Sequence, residues 1–316
     1  MSSESSPDGL LLIDKPPGIT SHDLVNIARR LYRLRRVGHT GTLDPNATGL
    51  MILCLGVSTR LAEYFTGQNK QYIAEVTFGI ETDTQDIWGD VKAERDASSL
   101  TPELILELLP QFTGRILQTP PMVSARRHEG RHLYEIAREH REVERKETSV
   151  EISSLEMADF QEGKRARAVF HITCSSGTYI RTLAYDLGVK TGAGAVMSAL
   201  RRTWIGKNEK DAFKITDAHS LEELSKLDSE GNITAAIIPP YEALAGWTRI
   251  ALSQEDEEKV RHGMSIPIRA IPSQSWERMD ISNLDCPIAL FNLSHNKLLA
   301  VAYLRSEMLT PVKVFA

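Results

Sequence analysis

Leu50-Met51-Ile52-Leu53-Cys54-Leu55 contains no polar side chain, and a run of this length reads as a strand buried in the core. A segment rich in glycine, threonine and proline, Gly38 to Gly49, leads directly into it and reads as a loop. Upstream, Leu10 to Asp14 predicts a short strand stopped by Pro16-Pro17-Gly18. Thr20 with Asp23 three residues on then gives a helix start of the capping-box kind. In the helix that follows, Leu24, Ile27, Ala28, Leu31 and Leu34 share one face.

Further strands are expected at 72–78, 149–157 and 166–173, and helices near 58–65, 102–109, 133–140 and 178–190. Strands separated by both turns and helices predict an α+β fold, with a mixed, largely antiparallel central sheet flanked by helices. Composition shifts at Pro239-Pro240. Beyond it, one acidic helix and short strands at 288–291, 298–303 and 312–315 predict a small β-rich domain. The expected organisation is a disordered tail at 1–8, a main domain at 9–240 with a basic insert at 120–146, and a C-terminal domain at 245–316.

Apolar and charged contents of 41% and 25% are those of a soluble globular protein. The apolar stretch Gly9 to Ile13 is far too short to span a bilayer and has no basic leader, so the expected compartment is the cytoplasm, with no membrane partner. Cys54, Cys174 and Cys286 are odd in number and widely spaced, which argues for buried thiols rather than disulfides or a zinc site. Dinucleotide, P-loop, zincin, EF-hand and serine-hydrolase signatures are absent, so no cofactor and no metal are expected. The net charge of −5 is unevenly spread. Arg29, Arg30, Arg33, Arg35 and Arg36 have no acid among them, as do Lys164, Arg165, Arg167 and Arg181, while acids gather at 81–96 and 255–258. This segregation suits a basic face on an acidic protein, and it equally suits solvated helix faces.

Asp44 is the carboxylate of the Gly38–Gly49 loop, and Pro45 after it disfavours the helical region at Asp44. Alone, this is an Asp-Pro turn. A second constellation, Ser175-Ser176-Gly177-Thr178-Tyr179-Ile180-Arg181, ends one strand and opens a helix. Arg181 falls in the first turn, where the helix dipole disfavours a cation unless a carboxylate or phosphate answers it. Taken singly, Tyr72 reads as a packed aromatic and Lys15 as a surface lysine.

Together these segments resemble the TruB-type family of tRNA pseudouridine-55 synthases. The matching stretches are Leu11 to Pro16 with Gly18 to Ser21, Gly38 to Gly49, Thr82-Asp83-Thr84 with Asp86 and Gly89, Gly177 to Arg181, and Leu200-Arg201-Arg202. They run in order over about residues 9 to 205, and the twelve-residue loop is highly specific. The resemblance implies Asp44 as catalytic nucleophile, Tyr72 as active-site tyrosine and Arg181 as the partner of Asp44. It puts His39 among displaced RNA bases and Lys15, Tyr179 and Leu200 at pocket or supporting positions. Arg126, Arg127, Arg201 and Arg202 are the expected RNA contacts. Val123, Arg126-Arg127 and Asn46 depart from the residues common in the family. The end of the chain, Leu309 to Phe315, is similar to the ends of PUA-type RNA-binding domains in that family.

The implied reaction converts uridine-55 in the T-loop of tRNA to pseudouridine, after the base is flipped out of the RNA. Attack by Asp44 falls on ribose C1′ or uracil C6. The rival readings are a non-catalytic RNA-binding or RNA-folding protein and a guide-RNA-dependent synthase. A monomer suffices for the first reading.

Overall fold

The computed structural model describes residues 7–124, 126–128, 130–139, 141, 143–277, 286–294 and 297–315. Strand Thr48–Leu55 lies inside a ten-stranded sheet. Across that sheet run Ile237–Ile238, Gly9–Lys15, Thr48–Leu55, Ala195–Gly206, Asn69–Phe78, Arg167–Cys174, Thr148–Gln161 and Gly114–Gln118. Val37–His39 pairs with Thr48–Leu55, and Phe213–Lys214 with Ala195–Gly206. Every pairing is antiparallel except that of Thr48–Leu55 with Ala195–Gly206. The α+β expectation holds.

The apolar run has no polar member because both of its faces are covered. Met51, Leu53 and Leu55 join Leu11 and Ile13 in a core with Leu24, Ala28 and Leu183, which lie on helices Ser21–Leu31 and Ile180–Thr191. Leu50, Ile52 and Cys54 join Leu10 and Leu12 on the opposite face, where Phe65, Phe291, Leu298 and Phe315 close over them. Each such aliphatic side chain contributes about 1.5–3 kcal/mol on burial. The C-terminal part of the chain therefore covers one face of the central strands. It forms its own six-stranded sheet, in the order Ile266–Pro267, Met308–Val314, Leu298–Arg305, Ile288–Asn292, Thr248–Leu252 and Trp276–Glu277, with a third core around Ile250, Leu290 and Leu299.

Helix Ser21–Leu31 begins at Thr20 with both arms of the capping box made. It stops at Leu31, so Leu34 lies beyond the periodic face on which the sequence put it; Arg33, at φ 52°, turns the chain out of the helix. The helix expected near 58–65 is a 3-10 segment, Gly56–Leu61, followed by one α-turn, Ala62–Thr66. Cys54 and Cys174 are buried thiols, while Cys286 is only half-buried. Asp8, at the end of the stretch read as a tail, accepts the Ser58 amide at 2.7 Å, and residues 1–6 lie outside the described residues. In the 120–146 segment the described part includes a two-residue ladder of Arg127–His128 with Arg131–His132, then helix Leu133–Arg138, which buries Leu133 and Ile136.

Strand Ala195–Gly206 was not among the expected elements, and its bulges explain why. Register shifts between Met197 and Ala199 and between Arg202 and Trp204 reset the in-out alternation twice, so no period of two survives in the sequence. This strand meets Thr48–Leu55 at the parallel seam, where Arg201 lies opposite Thr48 and Arg202 opposite Gly49. Gly49 has φ +102°, and a Cβ there would stand 2.3 Å from the Arg202 carbonyl oxygen and 2.6 Å from its amide nitrogen. Only glycine allows this approach. Gly49→Ala is therefore expected to lower stability by about 2–3 kcal/mol, read as a fall in the denaturant midpoint with unchanged slope.

Candidate active site

Asp44 opens a tight turn: the Ala47 amide donates to its carbonyl at 3.1 Å, with Pro45 at the second position that fixed φ favours. The turn is fastened from below by Lys15, whose ammonium donates to the carbonyls of Pro45 at 2.7 Å, Ala47 at 2.8 Å and Pro16 at 3.0 Å. Lys15 is fully buried, and burial pulls its pKa down to about 8 against the opposing pull of the Asp44 charge. The Gly18 amide also donates to Pro45, at 3.0 Å. Ser21, in the first turn of its helix, both donates to the Leu43 carbonyl at 3.0 Å and accepts from the Leu43 amide at 2.9 Å.

Above the turn, Arg181 meets the Asp44 carboxylate through two nitrogens, Nε to Oδ2 at 2.9 Å and Nη2 to Oδ1 at 3.2 Å. The arginine is nine-tenths buried, whereas the carboxylate side chain is 38% exposed, so the acid keeps an open side. Placement in the first turn of helix Ile180–Thr191 leaves Arg181 in an unfavourable dipole, which the carboxylate offsets. Two carbonyls complete its shell, Thr84 at 3.0 Å from Nη1 and Val123 at 2.8 Å from Nη2. The backbone supplies both acceptors, so Val123 serves whatever its side chain. The Asp86 carboxylate lies 3.8 Å from Nη1 and is held by Thr84 Oγ1 at 2.7 Å; burial raises its pKa. Buried Gln118 fixes the helix start, its amide bridging the Tyr179 N–H at 3.0 Å and carbonyl at 3.2 Å.

Arg202 secures the other end of the loop. Its Nε donates to the Leu50 carbonyl at 2.7 Å, and its Nη2 to the Gly41 carbonyl at 3.2 Å. It is also Tyr72's direct cross-strand partner. Burial raises the pKa of Tyr72, which stays a neutral phenol. His39 ends the short strand before the loop and accepts the Gly41 amide at 3.3 Å through Nδ1. Burial, then the Arg202 and His22 charges, lower its pKa, so the imidazole is neutral at physiological pH.

Asp44, Arg181, Tyr72, His39 and Lys15 thus gather around one loop. One assignment needs correction. Arg202, expected at the RNA, is 1% exposed and its guanidinium holds the Gly41 and Leu50 carbonyls, so it does not reach a phosphate; Lys15, 0% exposed, likewise holds loop carbonyls, a supporting position and not an RNA contact. Leu200 belongs to the core, and its carbonyl accepts from Thr48 Oγ1 at 3.3 Å. Arg201 is turned to Asp14 in a two-bond pair at 3.0 and 2.7 Å. Tyr179 is half-exposed and Arg126 is exposed, with a bond to Thr148; the Arg127 side chain lies outside the described residues. Sequence reasoning missed Gln118 altogether and gave Ser21, Thr84 and Asp86 no role. The close spacing of Thr82, Thr84 and Asp86 was the available signal for the last two. Chemically, the arrangement presents an oriented carboxylate beside a neutral phenol and a neutral imidazole.

Residues 29–180 match the family model described as TruB family pseudouridylate synthase (N terminal domain), and residues 181–245 match tRNA pseudouridylate synthase B C-terminal domain. The chain is 40% identical over 313 residues to tRNA pseudouridine synthase B of Pelotomaculum thermopropionicum, covering 98% of this chain and 95% of that protein. With its namesake in Symbiobacterium thermophilum it shares 45% identity over 265 residues, 84% of this chain and 85% of that one. Among solved structures, one reported as a Cbf5-Nop10-Gar1 complex superposes with a TM-score of 0.71 at 25% identity, covering 98% of this chain and 85% of the matched chain.

Lys15→Met keeps the stem and removes the ammonium, leaving the Ala47 carbonyl without this donor. The expected cost is about 1–3 kcal/mol in denaturant unfolding. An unchanged unfolding midpoint would show that Lys15 does not hold the turn.

Proposed function

The chain belongs to the TruB family of pseudouridylate synthases, and on that premise we propose that it converts uridine-55 in the T-loop of tRNA to pseudouridine, with Asp44 as nucleophile. The observation that carries the reading is the two-bond pair of half-open Asp44 with buried Arg181. Relatives named tRNA pseudouridine synthase B, matched over nearly the whole chain, support the choice of tRNA.

The N1–C1′ bond breaks, the detached uracil turns in place, and C5 joins C1′. C5 gives up a proton and N1 gains one, so substrate and product are isomers and the reaction consumes no redox equivalent or phosphate donor. Attack on ribose C1′ and attack on uracil C6 both require an ionised carboxylate aimed at the substrate. The Arg181 guanidinium holds Asp44 in that orientation. Tyr72, as a neutral phenol, is better suited to stacking on the uracil than to taking its proton. A uridine inside folded RNA reaches Asp44 only when flipped out, and neutral His39 at the mouth of the loop fills the space it leaves.

Exposed Arg30, Arg33, Arg35 and Arg36 and exposed Arg126 provide phosphate contacts around such a site. We assign 9–240 as the catalytic domain, with 120–146 as its RNA-binding insert, and 245–316 as a PUA-like RNA-binding domain. The protein acts as a cytoplasmic monomer on this reading. A guide-RNA-dependent synthase would need assembly with other components, whereas this chain alone is expected to modify a bare T-arm hairpin.

Asp44→Asn is expected to abolish tritium release from tRNA labelled at uridine C5 while keeping affinity for the hairpin within a few-fold, because phosphate contacts dominate binding. Equal tritium release by wild type and variant would remove Asp44 from the chemistry. Turnover is expected to fall as pH rises through about 8, where Lys15 loses its proton and has two N–H groups left for three carbonyls. A single-turnover pH profile that stays flat to pH 10 would contradict this coupling.

A further inference from the structure

The turn between strands Ile80–Thr82 and Val91–Glu94 forms one wall of the Arg181 cradle, and it displays apolar side chains to water. Trp88 is 51% exposed and Ile87 37%. The backbone beneath them is firmly held. Thr82 Oγ1 donates to the Asp86 carbonyl at 2.6 Å, and the Asp90 amide donates to Asp83 Oδ1 at 2.8 Å. The Ile87 amide donates to the Met197 carbonyl at 3.0 Å, fastening the turn to the long bulged strand. The Trp88 amide donates to Asp86 Oδ1 at 3.2 Å, and the other oxygen of that carboxylate lies 3.8 Å from Arg181. Trp88 is therefore presented from a rigid support tied to the group that orients Asp44.

Charge narrows what this aromatic can meet. Exposed Asp83 and Asp90 flank it, Glu81 being paired with Arg95 and Asp86 set beside Arg181, so this turn disfavours phosphate. A nucleobase carries no charge, and its flat face suits an exposed indole with Ile87 beside it. We propose that Trp88 is a stacking platform for an unpaired base of the substrate RNA, neighbouring the one that enters the Asp44 site, and so a determinant of substrate specificity. This rests on the reading of the chain as an RNA-modifying enzyme. The acidic surroundings steer the phosphate backbone away, toward the arginine-bearing surfaces, and leave the base facing Trp88.

The test compares wild type, Trp88→Ala, Trp88→Phe and a control, Val189→Ala, which removes another exposed apolar side chain from helix Ile180–Thr191. Affinity for a labelled T-arm hairpin is measured by anisotropy, alongside kcat and KM, with unfolding midpoints showing that each variant is folded. Trp88→Ala is expected to weaken affinity about tenfold, the loss falling mainly on KM, and Trp88→Phe to restore most of it. The control binds as wild type. Intrinsic fluorescence quenched by the hairpin in wild type is expected to lose that component in Trp88→Phe. Wild-type affinity in folded Trp88→Ala overturns the proposal, as does equal loss in the control. If wild type converts the hairpin while Trp88→Ala binds it unchanged, stacking fails and the proposed reaction stands. If the Trp88 variants bind as expected but wild type makes no pseudouridine, the reaction fails and the platform stands.

Discussion

Two buried cations hold the loop that carries Asp44. Lys15 grips the turn from one side through the Pro45 and Ala47 carbonyls, and Arg202 grips its flanks through Gly41 and Leu50. A short loop rich in glycine and threonine has little side-chain mass with which to pack itself, and its carbonyls need donors wherever water is excluded. Charged donors make the stronger bonds. The close approach of Gly49 to Arg202 brings the second cation within reach, which makes the parallel seam of the sheet a requirement of the site as well as of the fold.

The same arrangement sets the electrostatics. Lys15, Arg181 and Arg202 converge on the loop that carries one carboxylate, but they are not equivalent. Only Arg181 binds the carboxylate directly; the other two use their hydrogen bonds on backbone oxygens. Asp44 is thereby oriented by a two-bond partner while one side stays open to an incoming group. Asp86 sits at the far edge of the guanidinium, and its raised pKa reflects burial that the arginine only partly offsets. Arg181 is thus shared unequally, with its closest contacts reserved for Asp44.

Much of this was legible in the sequence where local physics decides the outcome. The apolar run at 50–55, the Thr20 and Asp23 cap, and the need for an anion beside Arg181 each follow from neighbouring residues. What could not be read depends on distant chain. Strand Ala195–Gly206 hid behind its bulges. A lysine before two prolines looks like a surface residue until the loop thirty residues on folds over it, and adjacent Arg201 and Arg202 look alike until the pleat sends one to Asp14 and the other inside. Gln118 carries no local sign of its part, because its partner backbone at Tyr179 is brought to it only by the sheet.

The segregation of charge that was ambiguous in the sequence acquires meaning from these placements. Arginines counted as one basic population divide into those whose guanidinium groups are spent inside, Arg181 and Arg202, and those left in water at 30–36. The buried ones cannot take part in counterion release, so the salt dependence of RNA binding reports the exposed set alone. Of the acids at 81–90, Glu81 pairs with Arg95 and Asp86 lies by Arg181, while Asp83 and Asp90 are exposed. A net charge of −5 is then compatible with a locally basic surface, since the exposed arginines at 30–36 and the acids at 81–90 occupy different segments.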